Sequence, residues 1–365
     1  MRVLQFELYK KTGGIESFLL NLNSYLYGKV ECEVICPFTS SSDEPSFNKI
    51  GTKVIKITGL RDVTRYTKQI NEIMRNGNYD IVHMNKCSAI NIIPVIIAYK
   101  NGIPIIIHSH NSMTRIGILG LPIHMFNRWI VGYLSQSNLA CSEIAGKWMF
   151  GNRKCTVIKN GIDTDRYLFN PMDRVSIRKG LKIPDETIVF TNLGDLRKQK
   201  NPIGLINIFN EISKKIDAVL LVVGDGVYRE EMLGLVKKYK LDNRVVFLGH
   251  RQDISTILCA VDCLLMPSLY EGLPMSCIEA QASGAKLFLA NTISDETKVT
   301  EHVFWFSLKQ SYEEIAAFIT ANCSQLSEDD RKTDNLIVKR KGFDYKIMAQ
   351  SIYENYCDIA NKRRQ

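Results

Sequence analysis

The chain lacks several features that would point to other protein classes. Its 10 cysteines, at 32, 36, 87, 141, 155, 259, 263, 277, 323 and 357, include no C-x-x-C pair and no local Cys/His cluster. A zinc site or a disulfide framework is therefore disfavoured, and buried, reduced thiols of a cytosolic protein are expected. No apolar run reaches membrane-span length. The nearest candidate, 89–108, is interrupted by Pro94, Lys100-Asn101-Gly102 and Pro104. The opening residues, MRVLQFELYKK, lack the basic-then-apolar order and cleavage site of a secretory signal and read as a first strand. G-x-G-x-x-G is missing, which argues against a dinucleotide site. Signatures of RNA- and DNA-binding modules are missing too. The formal charge of +9 therefore favours a diphosphate or acidic lipid head groups over nucleic acid.

What the chain does have is alternation. Its 365 residues exceed one ordinary core, so two domains of about 150–200 residues are expected. Apolar runs at 3–6, 33–36, 53–57, 81–83, 105–108 and 139–141 interleave with helical patterns at 15–26, 64–75, 90–99 and 123–134. After Asn160-Gly161 a polar, charged stretch running to Pro184 reads as an interdomain linker. Strand-like runs then return at 188–193, 218–223, 245–248, 262–266 and 286–290, separated by helical patterns. Buried parallel strands interleaved with helices make each half a doubly wound α/β domain, divided as 1–165 and 166–345. Two such domains imply a ligand cleft at their strand ends, closed by hinge motion.

The stretch 268–284, SLYEGLPMSCIEAQASG, follows one of these strands. Its loop carries Glu271. A helix with Pro274 near its start and Gly284 past its end carries Glu279 in the second turn. Helix entry also presents free N–H groups and a positive dipole end. A loop acid, a helix acid and free amides together suit an anionic ligand that also has hydroxyls, such as a sugar nucleotide. The plainer reading is two solvated carboxylates.

Other strand ends carry polar groups. Gly13-Gly14, before the first helix, lets a ligand approach the backbone or simply makes a tight turn. The run at 105–107 ends in His108-Ser109-His110-Asn111. Alternation puts His108 and His110 on one side, as hydrogen-bond donors or acid/base groups, with His83 ending its own strand similarly. Arg197, Lys198 and Lys200 precede a helix, which suits a diphosphate. Gly224-Asp225-Gly226 is a tight turn, and His250-Arg251 follow a strand where backbone can line a base. Residues 113–135, apolar and rich in aromatics with basic flanks at Arg115 and Arg128, read either as a membrane-interface helix or as a core helix under a lid.

Taken in order, Gly13-Gly14, His108-Ser109-His110-Asn111, Asn160-Gly161-Ile162-Asp163, Gln199-Lys200-Asn201-Pro202, Gly224-Asp225-Gly226, Leu248-Gly249 and the Glu271/Glu279 pair span nearly the whole chain. Together they resemble the retaining GT-B glycosyltransferases of glycosyltransferase family 4, which include many bacterial capsule and exopolysaccharide sugar transferases. The resemblance implies two Rossmann-like domains facing an interdomain cleft, with a last helix in 346–365 crossing back to the first domain. It assigns Lys200 to the donor diphosphate, Glu279 to the ribose hydroxyls and Glu271 to the donor sugar. The Leu273-Pro274-Met275 backbone would meet sugar and phosphate, and Gly14 would let the first loop approach the diphosphate. His110 would sit beside the donor sugar, with His108 the less favoured candidate. Gly224, His250 and Arg251 would line the donor nucleotide.

One position departs. Where the family usually has Arg immediately after the glycine, this chain has Asp195, and Arg197 or Lys198 must supply the charge. Either the loop is rearranged or catalysis is impaired. The implied function is transfer of a hexose or N-acetylhexosamine from a UDP-sugar to a hydroxyl of a lipid-linked or oligosaccharide acceptor. It would need no cofactor or metal, and would occur in the cytoplasm or against the acidic inner face of the plasma membrane. A UDP-sugar epimerase of the same architecture and, because of Asp195, a non-catalytic sugar-nucleotide-binding subunit remain open.

Overall fold

Every strand pairing in both sheets is parallel. Parallel neighbours need long crossovers, and that requirement places a helix after nearly every strand. The computed structural model describes residues 1–8, 14–37, 44–111 and 117–364. They form two units, Met1–Gly161 with Asp344–Gln365, and Ile162–Phe343.

Unit 1 runs β1 (Arg2–Phe6), α1 (Gly14–Leu26), β2 (Glu31–Cys36), α2 (Glu44–Lys49), β3 (Lys53–Lys56), α3 (Val63–Asn76), β4 (Ile81–Lys86), α4 (Ile93–Lys100), β5 (Ile105–Ser109), α5 (Gly117–Leu134), β6 (Ser137–Ala140), α6 (Glu143–Phe150) and β7 (Thr156–Val157). The sheet order is β3-β2-β1-β4-β5-β6-β7, so the winding direction reverses between β1 and β4. Ligands of open α/β sheets bind at the carboxyl ends of strands near such a reversal. Phe18, Leu19 and Leu22 of α1 pack on one face of the sheet, and Ile70 and Met74 of α3 with Val95 of α4 pack on the other.

Unit 2 runs α7 (Pro171–Leu181), β8 (Ile188–Leu193), α8 (Pro202–Ser213), β9 (Ala218–Val223), α9 (Arg229–Lys238), β10 (Val245–Gly249), α10 (Ile254–Ala260), β11 (Cys263–Met266), α11 (Met275–Ala282), β12 (Lys286–Ala290), β13 (Val303–Phe306), α12 (Tyr312–Asn322) and α13 (Glu328–Val338). Its order is β10-β9-β8-β11-β12-β13, reversing between β8 and β11. Consecutive residues Leu220, Leu221 and Val222 are all fully buried, because helices cover both faces. That is why these strands read as unbroken apolar runs. The last helix, α14 (Tyr345–Arg364), belongs to unit 1, where Met348, Ile352 and Tyr356 join the core beneath α1.

The expected linker is instead partly a helix. Asn170 caps α7 by accepting from the Met172 N–H at 2.9 Å, and Pro171 occupies its first turn. Arg178 is only 1% exposed. Its Nη2 lies 2.6 Å from Asp262 Oδ2, and its Nη1 donates to the carbonyls of Pro184, Asp185 and Thr187. A charged composition therefore concealed a docked helix whose key charge is paired inside the unit.

Helix α5 is anchored by polar groups. The Ala89 N–H donates to His124 Nδ1 at 3.0 Å, and Asn127 Nδ2 donates to Ala89 O at 2.9 Å. Its opposite face leaves Phe126, Trp129 and Tyr133 exposed at 68%, 61% and 71%, so it is not a core helix.

Candidate functional site

In unit 2, backbone bonds stitch three strand-end loops together. Gly194 N–H donates to Val223 O at 3.0 Å, Leu196 N–H to Asp225 O at 2.9 Å, and Gly224 N–H to Gly249 O at 2.8 Å. At Gly224, with φ of 125°, a Cβ would fall 2.1 Å from Gly194 O. Only glycine fits, so its part in the site is to let these loops touch.

A 3-10 turn at Lys198–Lys200 then leads into α8 through Asn201, which adopts a left-handed φ of 53°. The Asn201 side chain accepts from Gly204 N–H at 3.2 Å and donates to Pro267 O at 3.1 Å. Gln199 O accepts from Leu269 N–H at 2.8 Å, and Gln199 Nε2 donates to Tyr270 O at 3.1 Å. These bonds fasten the cationic loop after β8 to the loop after β11. The result is an ion pair between Lys200 Nζ and Glu271 Oε1 at 2.8 Å, with side chains 11% and 12% exposed. Asp195, Arg197 and Lys198 are exposed, while Leu196 between them is buried. No side chain among the described residues forms an ion pair with Arg197 or Lys198, so both charges face water.

Glu279 projects from α11, at whose start the Cys277 N–H donates to Pro274 O at 2.9 Å. Tyr167 stands near the Glu279 carboxylate. Burial raises the carboxyl above its ordinary range, partly offset by Tyr167 and by the charge of Arg166. Burial also pushes the Tyr167 phenol up, and the Glu279 charge adds to it. Arg166 Nη2 in turn donates to Gln252 O at 2.8 Å, tying this corner to the segment after β10. There Arg251 grips Asp253 with two bonds, at 2.8 and 2.6 Å, and His250 is exposed. With its guanidinium committed, Arg251 offers a ligand mainly backbone. Leu273 and Met275 pack half-buried on the core of the unit, and Pro274 between them is buried.

In unit 1, His108 and His110 lie side by side, ring centroids 4.2 Å apart, and His83 stacks on His108 at 5.5 Å. The edge of Phe18 meets both His108 and His110. His110 Nε2 hydrogen-bonds Asn85 Oδ1 at 2.9 Å, and His83 Nδ1 hydrogen-bonds the Tyr356 hydroxyl at 2.6 Å. Burial pushes both His83 and His110 down to about 3, with Asn160 partly offsetting it at His110. His108 is lowered as well, first by burial and then by its two neighbours. Near neutral pH these are uncharged hydrogen-bonding groups and not proton donors of ordinary strength. Gly14 opens α1 with no described residue within 4 Å of where a Cβ would stand, Asn111 is half-buried beside the strand end, and Gly13 lies outside the described residues.

Residues 12–166 match the family described as Glycosyltransferase Family 4, and residues 173–324 match Glycosyl transferases group 1. The chain belongs to the family 4 glycosyltransferases. This glycosyltransferase is similar to UDP-Gal:alpha-D-GlcNAc-diphosphoundecaprenol alpha-1,3-galactosyltransferase of Escherichia coli, at 28% identity over 319 residues, covering 80% of this chain and 79% of the relative. It is also similar to the O-antigen biosynthesis glycosyltransferase WclY of Escherichia coli, at 25% identity over 299 residues and 80% of each chain. Among solved structures, HepE of Anabaena in complex with UDP superposes with a TM-score of 0.82 at 20% identity, covering 98% of this chain and 100% of that one. That likeness shows the GT-B fold.

Sequence reasoning missed the partners that hold the glycosyltransferase's site groups. Tyr167 gave no signal, since nothing local marks it as a partner of Glu279. Asn85, Phe18 and Tyr356 read only as strand and helix residues. The Gln199-Lys200-Asn201 run was visible, but not the bonds by which Gln199 and Asn201 hold the loop.

Proposed function

We propose that the chain transfers a hexose or N-acetylhexosamine from a UDP-sugar to a hydroxyl of a lipid-linked or oligosaccharide acceptor, with retention at the anomeric carbon, during bacterial surface polysaccharide synthesis. The observation that carries this reading is the Lys200–Glu271 pair beside Glu279 and Tyr167 at the carboxyl ends of the unit 2 strands. Lys200, Arg197 and Lys198 with the leading amides of α11 form a preorganised set for the charge that grows on the departing diphosphate. Glu279 accepts from the ribose hydroxyls, and Glu271 accepts from a sugar hydroxyl while holding Lys200 in place. The Gly224 and His250-Arg251 backbone frames the uracil. In unit 1, the neutral His110 imidazole hydrogen-bonds a sugar hydroxyl, and Gly14 leaves room for a ligand at the start of α1.

The names of the relatives support this reading: one acts with UDP-galactose on a diphosphoundecaprenol-linked sugar, and a fold neighbour was solved with UDP. The cationic loop takes the charge-neutralising task a metal would otherwise perform, so activity should persist in chelator. The exposed aromatic face of α5 supports peripheral contact with a membrane surface, where such acceptors reside. The test offers UDP-sugars with and without a diphosphate-lipid-linked sugar acceptor, follows UDP release in EDTA, and reads the anomeric coupling of the product by NMR. Acceptor-dependent release with a retained anomer is expected. Rearrangement of free UDP-sugar without acceptor would make it an epimerase, and binding without turnover a nucleotide-binding subunit.

A further inference from the structure

The three imidazoles of unit 1 are incompletely hydrogen-bonded. His83 Nε2, both nitrogens of His108 and His110 Nδ1 are buried without a hydrogen-bond partner among the described residues. His83 and His108 are fully enclosed, whereas His110 is half-buried just past the end of β5 and is the one a ligand can reach. Which nitrogen of a neutral imidazole carries the proton is set by the bond the other nitrogen makes. At His110 the surrounding bonds settle it.

Asn85 supplies the deciding contact. It is fully buried on β4, and its Nδ2 donates to Phe6 O at 3.0 Å. A carbonyl only accepts, so the amide is fixed with Nδ2 toward β1 and Oδ1 toward His110. Asn85 Oδ1 lies 2.9 Å from His110 Nε2, and Nε2 must therefore donate. Burial keeps the ring uncharged near neutral pH, so its single proton is the one on Nε2, and Nδ1 is left as a bare acceptor. The residue is held in place on two more sides. The His110 backbone N–H donates to Lys86 O at 3.0 Å, and the ring of Phe18 stands 4.5 Å away between centroids. Asn160 is near the imidazole too, and its Oδ1 is buried and unpaired. Unpaired buried acceptors are costly, and these two call for hydrogens from a ligand or water.

We propose that Asn85 is a positioning residue: it holds His110 as the Nε2–H tautomer, so that Nδ1 accepts a hydrogen bond from a hydroxyl of the transferred sugar. The inference deepens the proposed transfer and rests on it for naming the sugar as ligand. The tautomer stands apart from that reading. The direction of the bond makes the contact selective, because the sugar position that meets Nδ1 must donate. A hydroxyl is accepted there, and a fluorine, which has no hydrogen to give, is refused. An asparagine that merely tied β4 to β1 could be removed without moving the imidazole proton.

The test reads the imidazole directly. Long-range proton–nitrogen NMR spectra of the full-length protein carrying isotope-labelled histidine report the tautomer near neutral pH, with His110 assigned by its loss in His110→Phe. The wild type should show the proton on Nε2. Asn85→Ala should move it to Nδ1, where Asn160 Oδ1 can accept it. Asn85→Asp keeps an acceptor and should keep the proton on Nε2. In parallel, UDP-hexoses and UDP-N-acetylhexosamines are titrated against UDP, which lacks the transferred sugar. The tightest binder is then compared with analogues in which one sugar hydroxyl is replaced by fluorine. One position should lose about tenfold in the wild type, and that penalty should be absent in His110→Phe and Asn85→Ala. A wild-type proton on Nδ1, or a proton that stays on Nε2 in Asn85→Ala, would overturn the proposal. Equal tolerance of fluorine at every position would overturn it too. Should Asn85→Ala not fold, the wild-type spectrum and the fluorine series still decide. If no UDP-sugar binds better than UDP, the transfer reading fails while the tautomer result stands, so the two failures are distinguishable.

Discussion

Lys200 Nζ lies 2.8 Å from Glu271 Oε1, with both side chains largely removed from water. The cation proposed to meet the donor diphosphate is thus paired with a carboxylate. The pair fixes where the ammonium stands, and it sets up a competition when the diphosphate arrives.

Glu271→Gln removes the competing charge but keeps the side chain's shape. UDP should then bind several-fold more tightly than to the wild type, while sugar transfer slows, because the contact of Glu271 with the sugar is weakened. Calorimetric titration with UDP and steady-state kinetics check the two halves. Weaker UDP binding in this variant would show that Glu271 only orients Lys200.

Glu279 and Tyr167 should behave as a ribose clamp. A hydrogen bond to a charged group contributes about 1.5–3 kcal/mol, so Glu279→Ala should weaken UDP about ten- to a hundredfold. Tyr167→Phe should have a smaller effect, because it removes only a hydroxyl near the carboxylate and leaves the charge. Titration with 2′,3′-dideoxy-UDP decides the assignment: the wild type and Glu279→Ala should bind this analogue equally.

Asp195 places an exposed negative charge in the loop that carries Arg197, Lys198 and Lys200. Asp195→Asn should strengthen UDP binding, and the gain should shrink as salt is raised, because exposed charges are screened over ~8–10 Å at physiological ionic strength. UDP titrations at low and high salt measure it. A salt-independent effect would locate the change in loop conformation and not in charge.

How much of this was legible in the sequence depended on whether a residue's environment is local. The strands of unit 2 could be read because both sheet faces are covered, which leaves runs such as 218–223 unbroken by charge. Lys200, Glu271 and Glu279 could be picked out because they follow strands. Alternation alone placed His108 beside His110. Helix α7 could not be read, because its polar sequence gives no hint that Arg178 is buried against Asp262. Nor could the Tyr356 partner of His83, which arrives from a helix at the far end of the chain. The neutral state of the imidazoles is a consequence of burial, which residue types alone do not reveal.

Those imidazoles give unit 1 a pH dependence of known sign. His83 and His110 are held at about 3 in the folded chain against an ordinary 6.5. Above pH 6.5 neither the folded nor the unfolded state is protonated, and stability is flat. Below it the unfolded chain takes up protons first, so stability falls with falling pH until the folded values are reached. Each group contributes about 1.4 kcal/mol per pH unit, or about 3 kcal/mol for both by pH 5.5. Calorimetry should show the unit 1 transition dropping between pH 7.5 and 5.5, and His83→Asn should reduce the slope. A transition that stays level across this range would mean the imidazoles are hydrated.

The most direct measurement is acceptor-dependent UDP release by the wild type and Lys200→Ala, side by side in EDTA. Losing one preorganised charge-stabilising donor typically costs about 3–4 kcal/mol at the transition state, so Lys200→Ala should be slower on the order of a hundredfold or more. The wild type should be unaffected by the chelator. Equal rates in the two proteins would contradict the placement of the donor diphosphate at Lys200.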